Sequence, residues 1–329
     1  MEMQYRTLGN SDIKMPVIGL GAWAIGGDSQ WGANDDSVSI RTIETAIDAG
    51  VTYIDTAPAY GLGHSEEIVG KAVKGKRDKC IIATKCGLIW DNTEGCCLLM
   101  HRDGVDVCRN LAPDSLALQV EQSLKRLDMD YIDILLTHWQ SMPPNFIPIE
   151  ETMGALTRLV EQGKIRAIGA ANVTPEQIDE YAASGTLSLV QQKYSMLDRK
   201  VETDGIMDAC ERHGLTFQPY SPLERGLLTG KVTMDTVISG TAKTSMKLYE
   251  PENRAKVIAM LEKFRPLCEK YGVSMASLVI AWTVARRPFM HVICGARKPE
   301  QILDNADGGR VVLDEADLAY MNEVSAAVL

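Results

Sequence analysis

Asp55, Tyr60, Lys85 and His138 each fall at or just beyond the end of an apolar run: VTYIDTAPAY, CIIATKC or IDILLTHW. The runs are short, β-branched or aliphatic and lack strict alternation, as expected of strands covered on both faces. If such strands run parallel in a closed barrel, their ends form one rim, and residues far apart in the chain meet over one pocket. Taken singly, each polar residue could be a solvated strand end or one half of an ion pair. Together they fit reduction of a carbonyl by hydride. As hydride reaches carbon, negative charge builds on oxygen and a proton donor must meet it. A tyrosine hydroxyl can donate, although an ordinary pKa of about 10 makes it reluctant near neutrality. A neighbouring ammonium stabilises the phenolate. Lys85 is expected to serve Tyr60 in this way, with Asp55 ion-paired to Lys85 and His138 orienting the carbonyl oxygen. No metal is required.

The surrounding segments alternate between strand and helix. After MPVIGLG comes the amphipathic DSVSIRTIETAIDAG, with Gly50 as a helix stop, and SEEIVGKAVKG follows the Asp55 strand with Ser65 as its cap. Further helices read as PDSLALQVEQSLKRL, PIEETMGALTRLVEQG, TPEQIDEYAASG and GIMDACERHG, and further strands as IRAIGAAN, LSLVQQKYS, LTFQPYSP and HVICGAR. Eight strands separated by helices predict an α/β chain folded as a (β/α)8 TIM barrel, one domain over residues 1–329. GLGAWAIGG is too spread out for the glycine fingerprint of a doubly wound sheet. Two long connections, Gly87 to Ala112 and Pro222 to about Pro251, follow strands and should overhang the active rim. The first is expected in the substrate pocket and the second as a strap over a cofactor.

From about Leu8 to Asn305 the chain resembles the aldo-keto reductases. DAGVTYIDTAPAYGLGHSEEIVGKAV is similar to that family's most recognisable stretch, and IIATKCG, RLDMDYIDILLTHW, GKIRAIGAANVTPEQI, YSPLERGLLTGK and GARKPEQILDN also match. IGAAN and THWQS are in addition similar to bacterial reductases of methylglyoxal and other small aldehydes. The resemblance implies catalytic Asp55, Tyr60, Lys85 and His138. It also implies a nicotinamide dinucleotide along Gly21, Ala22, Trp23, Asp55, Ala171, Asn172, Gln191, Tyr220, Ser221, Leu223, Gly226, Leu228, Lys231, Gly295, Arg297, Gln301 and Asn305. Ala171 stands where the family has serine, which removes one hydrogen bond to the carboxamide and leaves Asn172 and Gln191 to fix it. Tyr220 takes the position that stacks on the nicotinamide. Arg297 and Lys298, at the start of a helix near Pro299, suit a 2′-phosphate, so NADP(H) is preferred and NAD(H) possible. Substrate contacts fall to Trp23, Tyr60, Trp90, His138 and Trp139; Gln140 and Arg225 could add polar contacts.

A chain of 329 residues with 45% hydrophobic content can bury a large core, and its net charge of -10 argues against nucleic acid as a partner. No apolar stretch is long enough to span a bilayer. MEMQYRTLGN has no signal-peptide core, and several of the eight cysteines sit in predicted elements, so reduced thiols and a cytoplasmic location are expected. Cys96, Cys97 and Cys108, with His101 between, lack the paired spacing of a zinc site. The partner expected is a small carbonyl compound; oligomeric state is not readable. Two rivals remain: a Schiff-base aldolase built on Lys85, and a non-catalytic nicotinamide-binding redox sensor. The aldolase leaves Tyr60 and the Arg297 segment without a role, and a sensor should carry a damaged tetrad.

Overall fold

The computed structural model describes residues 2–91, 93 and 97–328. Eight strands form one parallel sheet: β1 (Ile18–Gly21), β2 (Tyr53–Asp55), β3 (Ile81–Cys86), β4 (Ile132–Thr137), β5 (Ile165–Ala171), β6 (Leu189–Lys193), β7 (Thr216–Tyr220) and β8 (Val292–Gly295). The spatial order is β7-β6-β5-β4-β3-β2-β1-β8. Phe217 of β7 closes the ring: its N–H donates to the Phe289 carbonyl at 3.0 Å, and its carbonyl accepts from the His291 N–H at 3.0 Å. The expected (β/α)8 barrel is therefore the observed architecture.

Helices α1 (Asp36–Asp48), α2 (His64–Val73), α3 (Pro113–Leu127), α4 (Ile149–Glu161), α5 (Pro175–Ser184), α6 (Ile206–Arg212), α7 (Met275–Ala285) and α8 (Pro299–Gly308) surround the sheet. Their ends follow local chemistry. Asp35 caps α1 by accepting from the Ser37 and Val38 N–H groups, and Thr174 with Gln177 forms a reciprocal capping box on α5. Gly50 ends the α1 connection at φ +86°, where a side chain would be strained. Ser65 is not the cap of α2. The helix starts one residue earlier, and the buried Ser65 hydroxyl instead donates to the Ala22 carbonyl at 3.0 Å and lies 2.8 Å from the Thr56 hydroxyl.

The helix layer packs on the sheet through one large apolar core in which Val69, Leu116, Leu156, Ile178 and Ile280 are buried. Each such side chain contributes about 1.5–3 kcal/mol through burial. A second core fills the barrel itself. Here Tyr53, Ala83, Ile134, Leu136, Leu189 and Ile293 meet Leu8, Ile13 and Met15 of the antiparallel hairpin Tyr5–Thr7/Lys14–Pro16, which plugs the end away from the rim. No helix among the described residues is long and apolar enough to cross a membrane.

The first long connection is more ordered than a loop reading expects. Leu88–Ile89, Val105–Arg109 and Cys97–Arg102 form an antiparallel three-stranded sheet over the rim, turned by Asp103 and Gly104, both at positive φ. An Asp-Gly pair between strands is a strong hairpin signal because both residues accept the left-handed region. The second connection carries the 3-10 segment Glu224–Thr229 and the short helix Thr241–Thr244 before the helix Pro251–Glu262.

Candidate active site

Strand register sets the centre of the site. Asp55 ends β2 beside Gly21 of β1 and Ala83 of β3, while Lys85 lies opposite Leu136 of β4, so both side chains enter the barrel mouth at similar height. The Lys85 ammonium is fully buried. It donates to Asp55 Oδ2 at 2.7 Å and Oδ1 at 2.9 Å, to the Thr56 carbonyl at 2.9 Å and to the Tyr60 hydroxyl at 3.2 Å. The His138 ring meets Tyr60 edge-on at 5.8 Å, and the Trp23 ring lies 6.3 Å from Tyr60 on another side. The four residues singled out from sequence thus form one cluster.

The Asp55 carboxylate is held from below as well. Gln191 Nε2 donates to Asp55 Oδ1 at 2.9 Å and to Gln218 Oε1 at 2.6 Å, and Gln218 Nε2 reaches His291 Nδ1 at 2.7 Å. Both Gln191 amide hydrogens are committed to protein, so its Oε1 is the group left to meet a ligand. Asn172 is similarly engaged: its Nδ2 donates to the His138 carbonyl at 2.9 Å and its Oδ1 accepts from the Tyr220 hydroxyl at 2.9 Å. Asn172 sits at φ +55° and Ser221 at φ +58°, so the backbone bordering the site is held in a left-handed conformation.

Burial, the largest influence on Tyr60, raises its pKa; Lys85 opposes this and Asp55 reinforces it, and the net direction is upward. Tyr60 is therefore a neutral phenol at neutral pH, not the phenolate that the lysine alone would favour. Burial also works against a charged Lys85, but the Asp55 carboxylate and the bonds to Asp55 and Tyr60 outweigh it, and the lysine pKa rises. His138 is pushed well below the usual imidazole range by burial, then by the charges of Lys85 and Arg102, and stays neutral. One proton donor, one fixed cation and one neutral imidazole share the site.

These groups open into a cavity of about 1170 Å³. Of the residues expected to bind cofactor or substrate, Gly21, Trp23, Asp55, Tyr60, His138, Trp139, Asn172, Gln191, Tyr220, Ser221, Leu223, Gly226, Lys231, Gly295, Arg297, Gln301 and Asn305 line it. Ala22, Ala171 and Leu228 do not; they are fully buried behind the wall. Trp90 does not either. It packs beside Leu88 and Val107 and faces a separate hollow of about 640 Å³ next to α2 and α3. Gln140 is structural rather than exposed to substrate, donating to Thr137 Oγ1 and to the Ala171 carbonyl and accepting from the Tyr181 hydroxyl at 2.6 Å. Arg225 does line the cavity, its guanidinium 5.3 Å from the Trp23 ring centre.

A tie crosses the cavity at its far end. Arg297 donates to the Trp31 and Ala33 carbonyls at 3.2 and 2.8 Å and to Asn34 Oδ1 at 3.4 Å, while the Gln30 carbonyl accepts from the Ala242 N–H at 3.4 Å. Arg297 thus spends Nε, Nη1 and Nη2 on the loop 28–34. Lys243, which was not singled out from sequence, lines the same end, and burial together with the Arg297 charge lowers its pKa. The two cations crowd together, and among the described residues the Trp31 Nε1 donor in the same wall is buried without an acceptor. Both features fit a phosphorylated, hydrogen-bonding dinucleotide. Leu88, Met100, Arg102 and Val107, also not singled out, supply the wall on the Tyr60 side. The Asp103-Gly104 signal could have predicted the hairpin that carries Met100, Arg102 and Val107, but not which way those side chains face.

Cys97 is partly exposed on the rim hairpin, His101 pairs with Asp106 at 3.0 Å, and Cys96 lies outside the described residues. Among the described residues no three His, Cys, Asp or Glu side chains gather as a metal site.

The family model described as the aldo/keto reductase family matches residues 17–326. The NADH-specific methylglyoxal reductase of Escherichia coli is 43% identical over 324 residues, 98% of each chain. The aldo-keto reductase YhdN of Bacillus subtilis is 38% identical over 304 residues, 91% of this chain and 87% of that one. Among solved structures, a glycerol dehydrogenase from Gluconobacter oxydans superposes with a TM-score of 0.87 at 34% identity, covering 100% of this chain and 97% of the other.

Proposed function

Because the chain belongs to the aldo/keto reductase family, we propose that it reduces small aldehydes and ketoaldehydes such as methylglyoxal, or small sugar carbonyls, to alcohols, with Tyr60 as the proton donor. The observation that carries this is the Lys85 ammonium bound at once to Asp55 and to the Tyr60 hydroxyl. A bound nicotinamide dinucleotide supplies the hydride. Tyr60, kept protonated by burial, gives its proton to the carbonyl oxygen, and Lys85 stabilises the phenolate that remains. His138, neutral, donates a hydrogen bond to that oxygen and aligns it. Trp23 and Trp139 bound the approach and exclude water.

Asn172 and Gln191 would hold the carboxamide, Tyr220 would stack on the ring, and α8 with Asn305 would receive the adenosine end. With the Arg297 guanidinium bonded to the loop 28–34, Lys243 and Lys298, which line the same end of the cavity, would receive most of a 2′-phosphate, and this cluster of cations is what favours NADP(H) over NAD(H). The E. coli relative is named NADH-specific, so nucleotide choice is the sharpest part of this reading. A cytoplasmic location is supported by the cysteines among the described residues, which stand as thiols outside any disulfide. Lys85 as an ammonium with three kinds of acceptor is a poor amine nucleophile, which disfavours the aldolase.

The test is optical: oxidation of NADPH and of NADH by the purified protein with methylglyoxal and short aldehydes. Turnover with NADPH preferred is expected. Preference for NADH would remove the phosphate assignment and keep the reaction, and silence with every carbonyl and both nucleotides would overturn the reductase.

A further inference from the structure

The wall that the rim hairpin gives to the cavity is apolar apart from Arg102. Trp23, Leu88, Met100, Val107 and Trp139 line the cavity with Tyr60, and Arg102 stands among them at the end of the hairpin strand, its side chain only 10% exposed. The guanidinium is anchored next to the proton donor: Nη1 donates to the carbonyl of Ala59, the residue before Tyr60, at 3.1 Å, and Nη2 to Met100 Sδ at 3.1 Å. An arginine has five N–H donors, so among the described residues three are left without a protein acceptor at hydrogen-bond distance.

Its ion pair with Asp28 lacks a direct hydrogen bond. Asp28 Oδ2 lies 3.6 Å from Nη1, too far for a hydrogen bond, and that oxygen is buried without a donor. Asp28 is occupied elsewhere: Oδ1 accepts from the Gln30 N–H at 3.0 Å and the Trp31 N–H at 3.3 Å, which fixes the loop. A buried cation whose ion-pair partner gives it no direct hydrogen bond keeps donors free for a further anion. Arg225, another cation of the cavity wall, lies against the Trp23 ring and donates to the Ala242 carbonyl, with its Nε buried and unpartnered among the described residues; it is Arg102, not Arg225, that bonds the segment carrying Tyr60.

We propose that Arg102 is a specificity-determining residue that receives a carboxylate at the far end of the substrate, so that aldehydes bearing a carboxylate are reduced in preference to neutral aldehydes of equal length. This rests on the reductase reading above. Hydride goes to the aldehyde carbon, the Tyr60 proton to its oxygen, and the carboxylate is unchanged. A planar guanidinium with parallel free N–H groups suits a carboxylate in a way that the apolar wall does not. That Arg102 lies near the reacting carbonyl is supported by its charge acting on both Tyr60 and His138.

The experiment measures kcat/KM of the full-length protein for matched pairs, butanal against succinic semialdehyde and pentanal against glutaric semialdehyde, in wild type, Arg102→Met, Arg102→Lys and Asp28→Asn. Wild type should favour the anionic member. Arg102→Met should lower the anionic-to-neutral ratio by about 10- to 100-fold, the equivalent of one or two charge-assisted hydrogen bonds, with Arg102→Lys between. Asp28→Asn keeps the Oδ1 acceptor and removes the competing charge, so the ratio should rise. A purely structural tie between Arg102 and Asp28 predicts otherwise: both variants then move the ratio together or not at all, and either result overturns the proposal. If circular dichroism shows Arg102→Met unfolded, the opposite shifts of Arg102→Lys and Asp28→Asn carry the test. Neutral aldehydes reduced with no anionic preference would sink Arg102 alone, whereas no turnover of any carbonyl would sink the reductase itself.

Discussion

A β-carbon on Gly61 would stand 2.2 Å from the carbonyl oxygen of Gly26, and Gly61 itself holds φ at +60°. The two glycines bring the turn Trp23–Gly26 against the segment that carries Tyr60, which is why the Trp23 and Tyr60 rings lie 6.3 Å apart. Gly61→Ala should cost about 1–3 kcal/mol of stability, from clash and backbone strain together. Turnover should fall further than stability explains, because Tyr60 must shift away from Lys85. Urea unfolding and kcat on the folded fraction separate the two effects.

In the proposed reaction Tyr60→Phe removes the proton and leaves the ring. Turnover should drop by about 10²- to 10⁴-fold, the usual range for loss of a general acid. Nucleotide binding, followed by quenching of protein fluorescence, should stay close to wild type. Reduction at the wild-type rate would exclude Tyr60 as the donor.

Reduction needs Tyr60 protonated and His138 neutral. The Tyr60 pKa is raised above that of an ordinary phenol, and the His138 pKa is lowered well below that of ordinary imidazole. The kcat/KM for reduction should therefore be flat from about pH 6.5 to about pH 9 and decline only as the phenol ionises. A fall in rate as pH drops through about 6.5 would mean that His138 protonates in the working range, contrary to its buried setting.

His291, buried in the barrel against Gln218 with Nε2 unpartnered, has its pKa lowered to about 3. Below about pH 6.5 the unfolded chain takes up a proton at this site that the folded chain refuses. The stability supported by neutral His291 is thus present above the unfolded pKa and is lost as pH falls toward about 3, with a slope near 1.4 kcal/mol per pH unit. His291→Gln, which cannot titrate, should show a shallower loss between about pH 6 and 4 in denaturant melts, whatever its stability at neutral pH.

Lys243→Met should raise KM for NADPH by about tenfold, the scale of one charge-assisted contact, and KM for NADH by less. Equal changes for both nucleotides would mean that Lys243 meets the shared pyrophosphate instead of the 2′-phosphate.

The barrel and its tetrad were legible because strand ends are local: an apolar run, then a polar residue, repeats at Asp55, Lys85 and His138, and parallel register does the rest. The walls were harder. Trp90 sits two residues beyond Leu88, yet the chain turns it away from the rim, and nothing in its immediate sequence marks that turn. Gln140 directly follows Trp139 but is drawn inward by Tyr181, a partner 41 residues away. Arg102 and Lys243 owe their positions to a hairpin and a short helix folded back over the mouth, long-range contacts that no periodicity reports. The Asp103-Gly104 turn was the one local cue, and it speaks to the hairpin rather than to the direction of Arg102.

Gln30, Arg297 and Ala242 stitch the loop 28–34 to the opposite bank of the cavity. If the cavity takes a dinucleotide as proposed, a molecule of that length would have to part this stitch to leave, whereas a small carbonyl would not. Exchange of the large guest would then wait on the opening of several weak bonds at once. The proposed reaction would so have two doors of unequal speed, its top pace governed by how often the slower one swings, and a burst of product in the first turnover would be the visible trace of that inequality.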